Sequence, residues 1–168
     1  MTIECLQIPC QKIISGGQTG VDRGALDACL KNNFPCGGWC PNGRLAEDGI
    51  ISDKYPLEET QQKDYSFRTR QNVIDSDATL IISPQKLSGG TRLTQQFTEE
   101  YKKPVLLSSP ETKVRIIINW LIENKIRIMN VAGPRKSEWN KGYDISFKLT
   151  SAIVNEIKKQ RPEHKLNH

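Results

Sequence analysis

Histidine is almost missing from this 168-residue chain: there are two, His164 and His168, and both lie in the C-terminal tail. That excludes a Ser-His-Asp triad, a histidine general base and a histidine-held metal from the folded body. No apolar run approaches the roughly 20 residues that a membrane-spanning helix needs. The start, Met1-Thr2-Ile3-Glu4-Cys5, lacks the basic and apolar blocks of a secretory signal. Cysteine is scarce and odd in number: Cys5, Cys10, Cys29, Cys36 and Cys40. Cys36 and Cys40 form C-x-x-x-C rather than the C-x-x-C of zinc or redox sites, so the expectation is inert, reduced thiols, a cytoplasmic protein and no resident metal. Aromatics make up only 7%, and no basic run is interleaved with them. Neither nucleic acid nor a membrane is therefore an expected partner. The net charge of +5 is carried partly by Lys158 to His168, which reads as a frayed basic tail. The remaining excess permits an anionic ligand. The length fits one domain, 1–168, able to bury a sizeable core without staples.

What is present is an alternation of short apolar runs and amphipathic stretches. Strands are expected at Lys12 to Ser15, Cys36 to Trp39, Ala78 to Ser83, Pro104 to Ser108 and Ile126 to Val131. Helices are expected at Val21 to Lys31, Ser66 to Asp75, Thr91 to Lys102, Glu111 to Lys125 and Tyr143 to Lys159. The run Ala78 to Ser83 has no polar alternation, as in a strand buried on both faces. Val114, Ile117, Ile118, Leu121 and Ile122 form a core-facing helical stripe. This order implies an α/β fold: a parallel sheet of about five strands with helices on both faces and right-handed crossovers. Arg44 to Asp64 is polar and irregular, and a loop that long in a compact domain is often a lid or binding segment.

Four glycine-containing motifs carry the chemistry. Ser15 to Gly24 (SGGQTGVDRG) joins a strand to a helix, where backbone N–H groups and the helix dipole favour an anion. It is neither a P-loop nor G-x-G-x-x-G, because its glycines fall at 16, 17, 20 and 24 and Val21 follows Gly20. Taken alone, it is equally well explained as a tight turn with close helix–sheet contact. The others are Ser88 to Thr94 (SGGTRLT), Gly133-Pro134-Arg135, and Pro41 to Arg44 (PNGR). In a parallel sheet these turns crowd one edge, and ligands bind in the crevice there. The candidate ligand-binding set is Gly16, Gly17, Gln18, Thr19, Gly20, Arg23, Arg44, Gly89, Gly90, Thr91, Thr94, Gly133, Pro134 and Arg135, with no catalytic residue assigned. A side chain at Gly17 is expected to fill the space a phosphate needs. Arg68 and Asn72 share a helix face and are weaker candidates. Asp22 reads as a cap or dipole partner, and Trp39 either stacks on a heterocycle or sits in the core.

Together, S-G-G-Q-T-G-V-D-R-G-A-L-D, G-G-W-C-P-x-G-R, N-V-x-D-S-D-A-T-L-I, G-G-T-x-L-T and N-V-A-G-P-R resemble the putative molybdenum carrier family over about Lys12 to Ile157. More distantly they resemble the Rossmann-like LOG, or lysine decarboxylase-like, phosphoribohydrolases. The resemblance implies a Rossmann-like fold, a homo-oligomer of two or four chains, and a phosphorylated ligand, with molybdenum cofactor (molybdopterin) the cargo of the algal branch. The phosphoribohydrolases carry P-G-G-x-G-T-x-x-E, and aligning Gly89-Gly90 with it puts Gln96 at the catalytic glutamate. An amide cannot take up a proton as a carboxylate does. The expectation is thus a carrier or sensor of a pterin- or nucleotide-derived phosphate. The alternative is a hydrolase or transferase using Asp22, Glu47 or Asp48 as acid or base.

Overall fold

A computed structural model describes residues 6–161. Five parallel strands form the main sheet in the order β2-β1-β9-β7-β8: β1 Lys12–Ile14, β2 Cys36–Gly37, β7 Ala78–Ile82, β8 Val105–Ser108 and β9 Ile128–Ala132. The helices are α1 Val21–Lys31, α2 Tyr65–Asp75, α3 Gly89–Glu100, α4 Val114–Glu123 and α5 Gly142–Gln160. α5 packs against α1 and α4, and α2 packs against α3. This is the doubly wound, Rossmann-like α/β architecture that the strand–helix alternation implies.

The two sheet faces differ in chemistry, because side chains alternate along a strand. Ile13, Leu80, Ile82, Met129 and Val131 join Ala25, Ile117, Leu121, Ile153 and Ile157 in the main apolar core. The alternate positions are more polar: the Asn130 amide donates to the Thr79 hydroxyl at 3.2 Å, with both residues buried. Thr69, Asn72, Thr94 and Thr98, from α2 and α3, are buried as well. A polar interior of this kind leaves donors and acceptors within reach of the strand ends.

Two expectations need correcting. Trp39 does not extend the second sheet strand. The chain leaves the main sheet at Gly38, and Trp39–Cys40 (β3) pairs in parallel with Glu58–Glu59 (β6) as a separate ribbon. Trp39 is thereby held against the end of α2, its Nε1 donating to Asp75 at 2.7 Å. Nor is 44–64 irregular throughout, since Leu45–Ala46 (β4) and Gly49–Ile50 (β5) form an antiparallel hairpin. Arg44 organises this segment, its guanidinium donating to the carbonyls of Ile51, Leu57, Ser52 and Tyr55 at 2.8–3.1 Å. Ile51, Tyr55 and Leu57 then bury against Leu26 and Cys40 as a second small core. The frayed tail expected from Lys158 begins later, since Lys158 to Gln160 are the last turn of α5; the rest of it, beyond Arg161, lies outside the described residues.

Candidate functional site

Gln18 and Asp22 from the first turn, Gly90, Thr91 and Thr94 from the start of α3, and Gly133 and Arg135 after β9 line one cleft of about 140 Å³. Tyr65, Arg68 and Thr69 of α2 complete it, with Glu138 at its rim. Parallel strand order brings these segments to one edge, as the sequence implied. The two glycine turns share the cleft but differ in what they offer to a ligand.

The first turn uses several of its own donors and packs its glycines against protein. Gln18 N–H donates to Asp22 Oδ2 at 3.2 Å, and Thr19 N–H to Gln18 Oε1 at 3.0 Å. Val21 N–H donates to the Pro134 carbonyl at 3.3 Å, and Arg23 N–H to the Gln18 carbonyl at 3.2 Å. Gly20 has φ of +82°, and a Cβ there would lie 2.6 Å from the Pro134 carbonyl oxygen. Gly17 also turns away from the cleft: a Cβ there would strike Leu57 Cδ1 at 2.5 Å, beneath the 44–64 segment. A side chain at Gly17 would therefore displace that segment rather than fill phosphate space.

Carboxylates from the 44–64 segment clasp the same turn. Thr19 Oγ1 donates to Glu47 Oε1, while Ser137 contributes its N–H at 3.1 Å to Oε1 and its hydroxyl at 2.6 Å to Oε2. Burial works to raise the Glu47 pKa, but the hydrogen bonds from Ser137 and Thr19 override it and hold the carboxyl below its ordinary value. The Arg23 guanidinium forks onto Asp48 at 2.5 and 2.8 Å, which lowers the Asp48 pKa as well. Arg23 and Arg44 thus hold the fold together and do not line the cleft. Glu47, considered in sequence only as an acid or base, acts here as a structural clasp.

The second turn is open. Ser88 precedes α3 without capping it by a side-chain hydrogen bond. The first-turn N–H groups of Gly89, Gly90 and Thr91 have no protein acceptor among the described residues, because the first intrahelical bond runs from Arg92 N–H to the Ser88 carbonyl. A Cβ at Gly90 would meet nothing within 4 Å. Thr91 is buried and its hydroxyl makes no hydrogen bond among the described residues, whereas the Thr94 hydroxyl donates to the Gly90 carbonyl at 3.0 Å. Gln18 adds a further donor. Its Oε1 accepts from Thr19 N–H and Glu47 N–H at 3.0 and 2.9 Å, which fixes the amide so that its NH₂ is the free group.

The floor holds an ion pair that sequence reasoning underrated. Asp22 is buried with Oδ2 at 3.6 Å from Arg68 Nη1, and Arg68 Nε is buried without a partner among the described residues. A Cβ at Gly16 would lie 2.3 Å from that Nη1, so Gly16 makes room for the guanidinium. Burial raises the Asp22 pKa, and the Arg68 charge opposes it. Arg135 sits at the mouth, half-exposed, with its Nε 3.4 Å from Glu138 and 3.9 Å from Glu47. Gln96 is exposed on α3 and lies outside the cleft.

Residues 13–154 match the family described as circularly permutated YpsA SLOG. The chain belongs to that family. No curated protein matches the sequence. Among solved structures, this SLOG chain is similar to a crystal structure of a putative molybdenum carrier protein from Syntrophus aciditrophicus SB. The two are 43% identical, with a TM-score of 0.85, over 88% of this chain and 97% of the other. In this SLOG chain, the matched region contains every residue that lines the cleft.

Proposed function

We propose that this protein is a carrier or sensor that binds a phosphorylated pterin- or nucleotide-derived molecule through the cleft at the start of α3. The observation carrying this reading is the open α3 terminus: Gly90 and Thr91, whose N–H groups have no acceptor among the described residues, line one cleft with Gln18, Arg68 and Arg135. A group with several acceptor oxygens and negative charge is the chemical complement. The volume of about 140 Å³ is well below the roughly 300–1,000 Å³ that encloses a whole drug-sized ligand. The cleft therefore takes the anionic end and leaves the rest of the molecule at the rim. The resemblance to a protein named for molybdenum carriage makes molybdenum cofactor a candidate cargo.

Assembly into a homo-oligomer accompanies this proposal. It is supported by Leu107 on the open edge strand β8 and Ile116 on α4, exposed by 52% and 47%. A cytoplasmic location also remains a proposal; no helix among the described residues is long and apolar enough to cross a membrane.

A second reading, an enzyme acting on the same ligand, is favoured by one observation: the buried Asp22 lines the cleft with its proton affinity raised. The experiment is mass spectrometry of small molecules that co-purify with the protein. Calorimetry and product analysis with AMP, GMP and a pterin phosphate would follow. Binding without turnover supports the carrier or sensor. Turnover lost in Asp22→Asn supports the enzyme. No binding of any phosphorylated compound removes both.

A further inference from the structure

Two of the residues that line the cleft, Tyr65 and Leu93, have no part in the donor set described above. Tyr65 is the first residue of α2 and Leu93 the fifth of α3, and they meet at the same cleft because α2 packs against α3. Neither belongs to an apolar cluster of the interior. Asp64 fixes where α2 begins, its side chain accepting from Ser66 N–H at 2.8 Å. The Tyr65 carbonyl accepts from Thr69 Oγ1 at 2.9 Å, but its phenol hydroxyl has no partner among the described residues. Tyr65 is 39% exposed and is the only aromatic residue that lines the cleft. The Arg68 guanidinium lies over its ring, 5.8 Å from the centroid, within the roughly 6 Å reach of a cation–π contact.

We propose that Tyr65 is the specificity residue of this cleft, its ring stacking on the flat heterocycle of a ligand whose phosphate the start of α3 holds. The inference rests on the carrier or sensor reading, which by itself requires only the phosphate. Leu93 supplies an apolar contact beside the stack, and the phenol hydroxyl offers a donor or acceptor to the polar edge of the ring. The ligand class is thus a phosphate ester that carries a planar nitrogen heterocycle, a purine or a pterin, and not a bare sugar phosphate.

The surroundings favour this role. A cleft of about 140 Å³ takes the anionic end alone, so the remainder of the ligand lies at its rim, within reach of the partly exposed Tyr65. Arg68 covers the ring on one side and pairs with Asp22 on the other, so ring, cation and carboxylate form one connected series from the mouth to the floor. A tyrosine has only two χ angles, so a ring already placed in this way loses little freedom when a second ring covers it. Phe67, on the same helix and equally exposed, lines no part of the cleft and serves as a control.

The test is calorimetric titration of the full chain with AMP, hydroxymethylpterin phosphate and ribose 5-phosphate, which share a phosphate ester and differ in the ring. The wild type should bind AMP or the pterin at least tenfold more tightly than ribose 5-phosphate, and the tighter of the two identifies the ring. Tyr65→Ala should abolish that preference. It should weaken the ring-bearing ligand about tenfold, within the range for loss of one base–aromatic stack, and leave ribose 5-phosphate unchanged. Tyr65→Phe should keep the preference, and Phe67→Ala should bind as the wild type does. The wild-type comparison needs no variant. Equal affinity of the wild type for all three compounds, or an equal loss of all three in Tyr65→Ala, as from a ring that only steadies Arg68, would overturn the proposal and leave phosphate binding in place. No binding of any of the three would instead overturn the carrier or sensor reading, and this proposal with it.

Discussion

Ser15–Gly24 and Ser88–Thr94 both lead a buried strand into a helix at the same sheet edge, and both are glycine-rich. In the first, the glycines serve other parts of the protein: Gly20 lets the Pro134 carbonyl approach, Gly16 admits Arg68, and Gly17 fits beneath Leu57. The N–H groups of Gln18, Thr19, Val21 and Arg23 find acceptors in Asp22, Gln18 and Pro134. In the second, Gly90 faces nothing and the terminal N–H groups find no acceptor among the described residues. A turn whose glycines are packed against protein is scaffold, and a helix terminus whose glycine stands open leaves its donors accessible. Under the proposed function, this difference assigns the anion to α3, with the first turn as its wall.

Glycine substitution gives the sharpest way to break this comparison. Gly20→Val should destabilise the protein by about 3 kcal/mol, since it combines a positive φ with a backbone clash. Gly90→Ala should leave stability unchanged or raise it by about 0.5–1 kcal/mol. The variant methyl would still stand among the free N–H groups and weaken phosphate binding. Urea unfolding and calorimetry with a phosphorylated ligand separate the two effects. If Gly90→Ala unfolds early and Gly20→Val does not, the roles assigned to the turns are reversed.

The arginines sharpen the comparison at smaller amplitude. Arg68→Lys keeps the charge opposite Asp22 but loses the fork, and should weaken ligand binding about tenfold, or about 1.4 kcal/mol. Arg135 is half-exposed at the mouth and already shares Glu138 and Glu47. Arg135→Ala should cost about 1 kcal/mol, below the roughly 1.5–3 kcal/mol of a buried hydrogen bond to a charged group because the guanidinium is half-exposed. It should also flatten the decline of affinity with salt. Calorimetric titration of both variants at two salt concentrations measures this. Equal affinity in wild type and both variants would return Gly133-Pro134-Arg135 to the status of a turn.

Much of this was legible in the sequence, for local reasons. The run Ala78–Ile82, free of charged residues, and the stripe on α4 announce a buried strand and a packed helix. Parallel order then gathers the loops at one edge. The fate of each arginine was not legible. Arg23 and Arg44 sit inside glycine motifs, yet Arg23 pairs with Asp48, 25 residues away, and Arg44 with carbonyls up to 13 residues on. Such partners depend on how 44–64 folds back, which no period records. Arg68 was undervalued because its role needs Gly16 and Asp22 from another segment.

The smallest expected effect concerns the wall itself, through the pH dependence of the clasp that holds it. Glu47 has its pKa lowered in the folded state by Ser137 and Thr19, against the opposing pull of burial. The unfolded chain therefore binds a proton at higher pH than the folded one does. The clasp's contribution is fully present above the ordinary carboxylate range, near pH 4–5, and is lost as pH falls through the lower folded value. Glu47→Gln keeps the shape but loses the charge-assisted bonds from Thr19 and Ser137. That variant should be less stable than wild type at pH 7, by about 1 kcal/mol, and the gap should narrow as the pH drops toward 3. Phosphate affinity at pH 7 should change little, because the α3 donors do not involve Glu47. Urea midpoints of both proteins across that pH range, with a single calorimetric titration at pH 7, decide the matter. A gap that widens in acid would contradict the clasp, and a large loss of affinity would mean that the wall also takes part in holding the ligand.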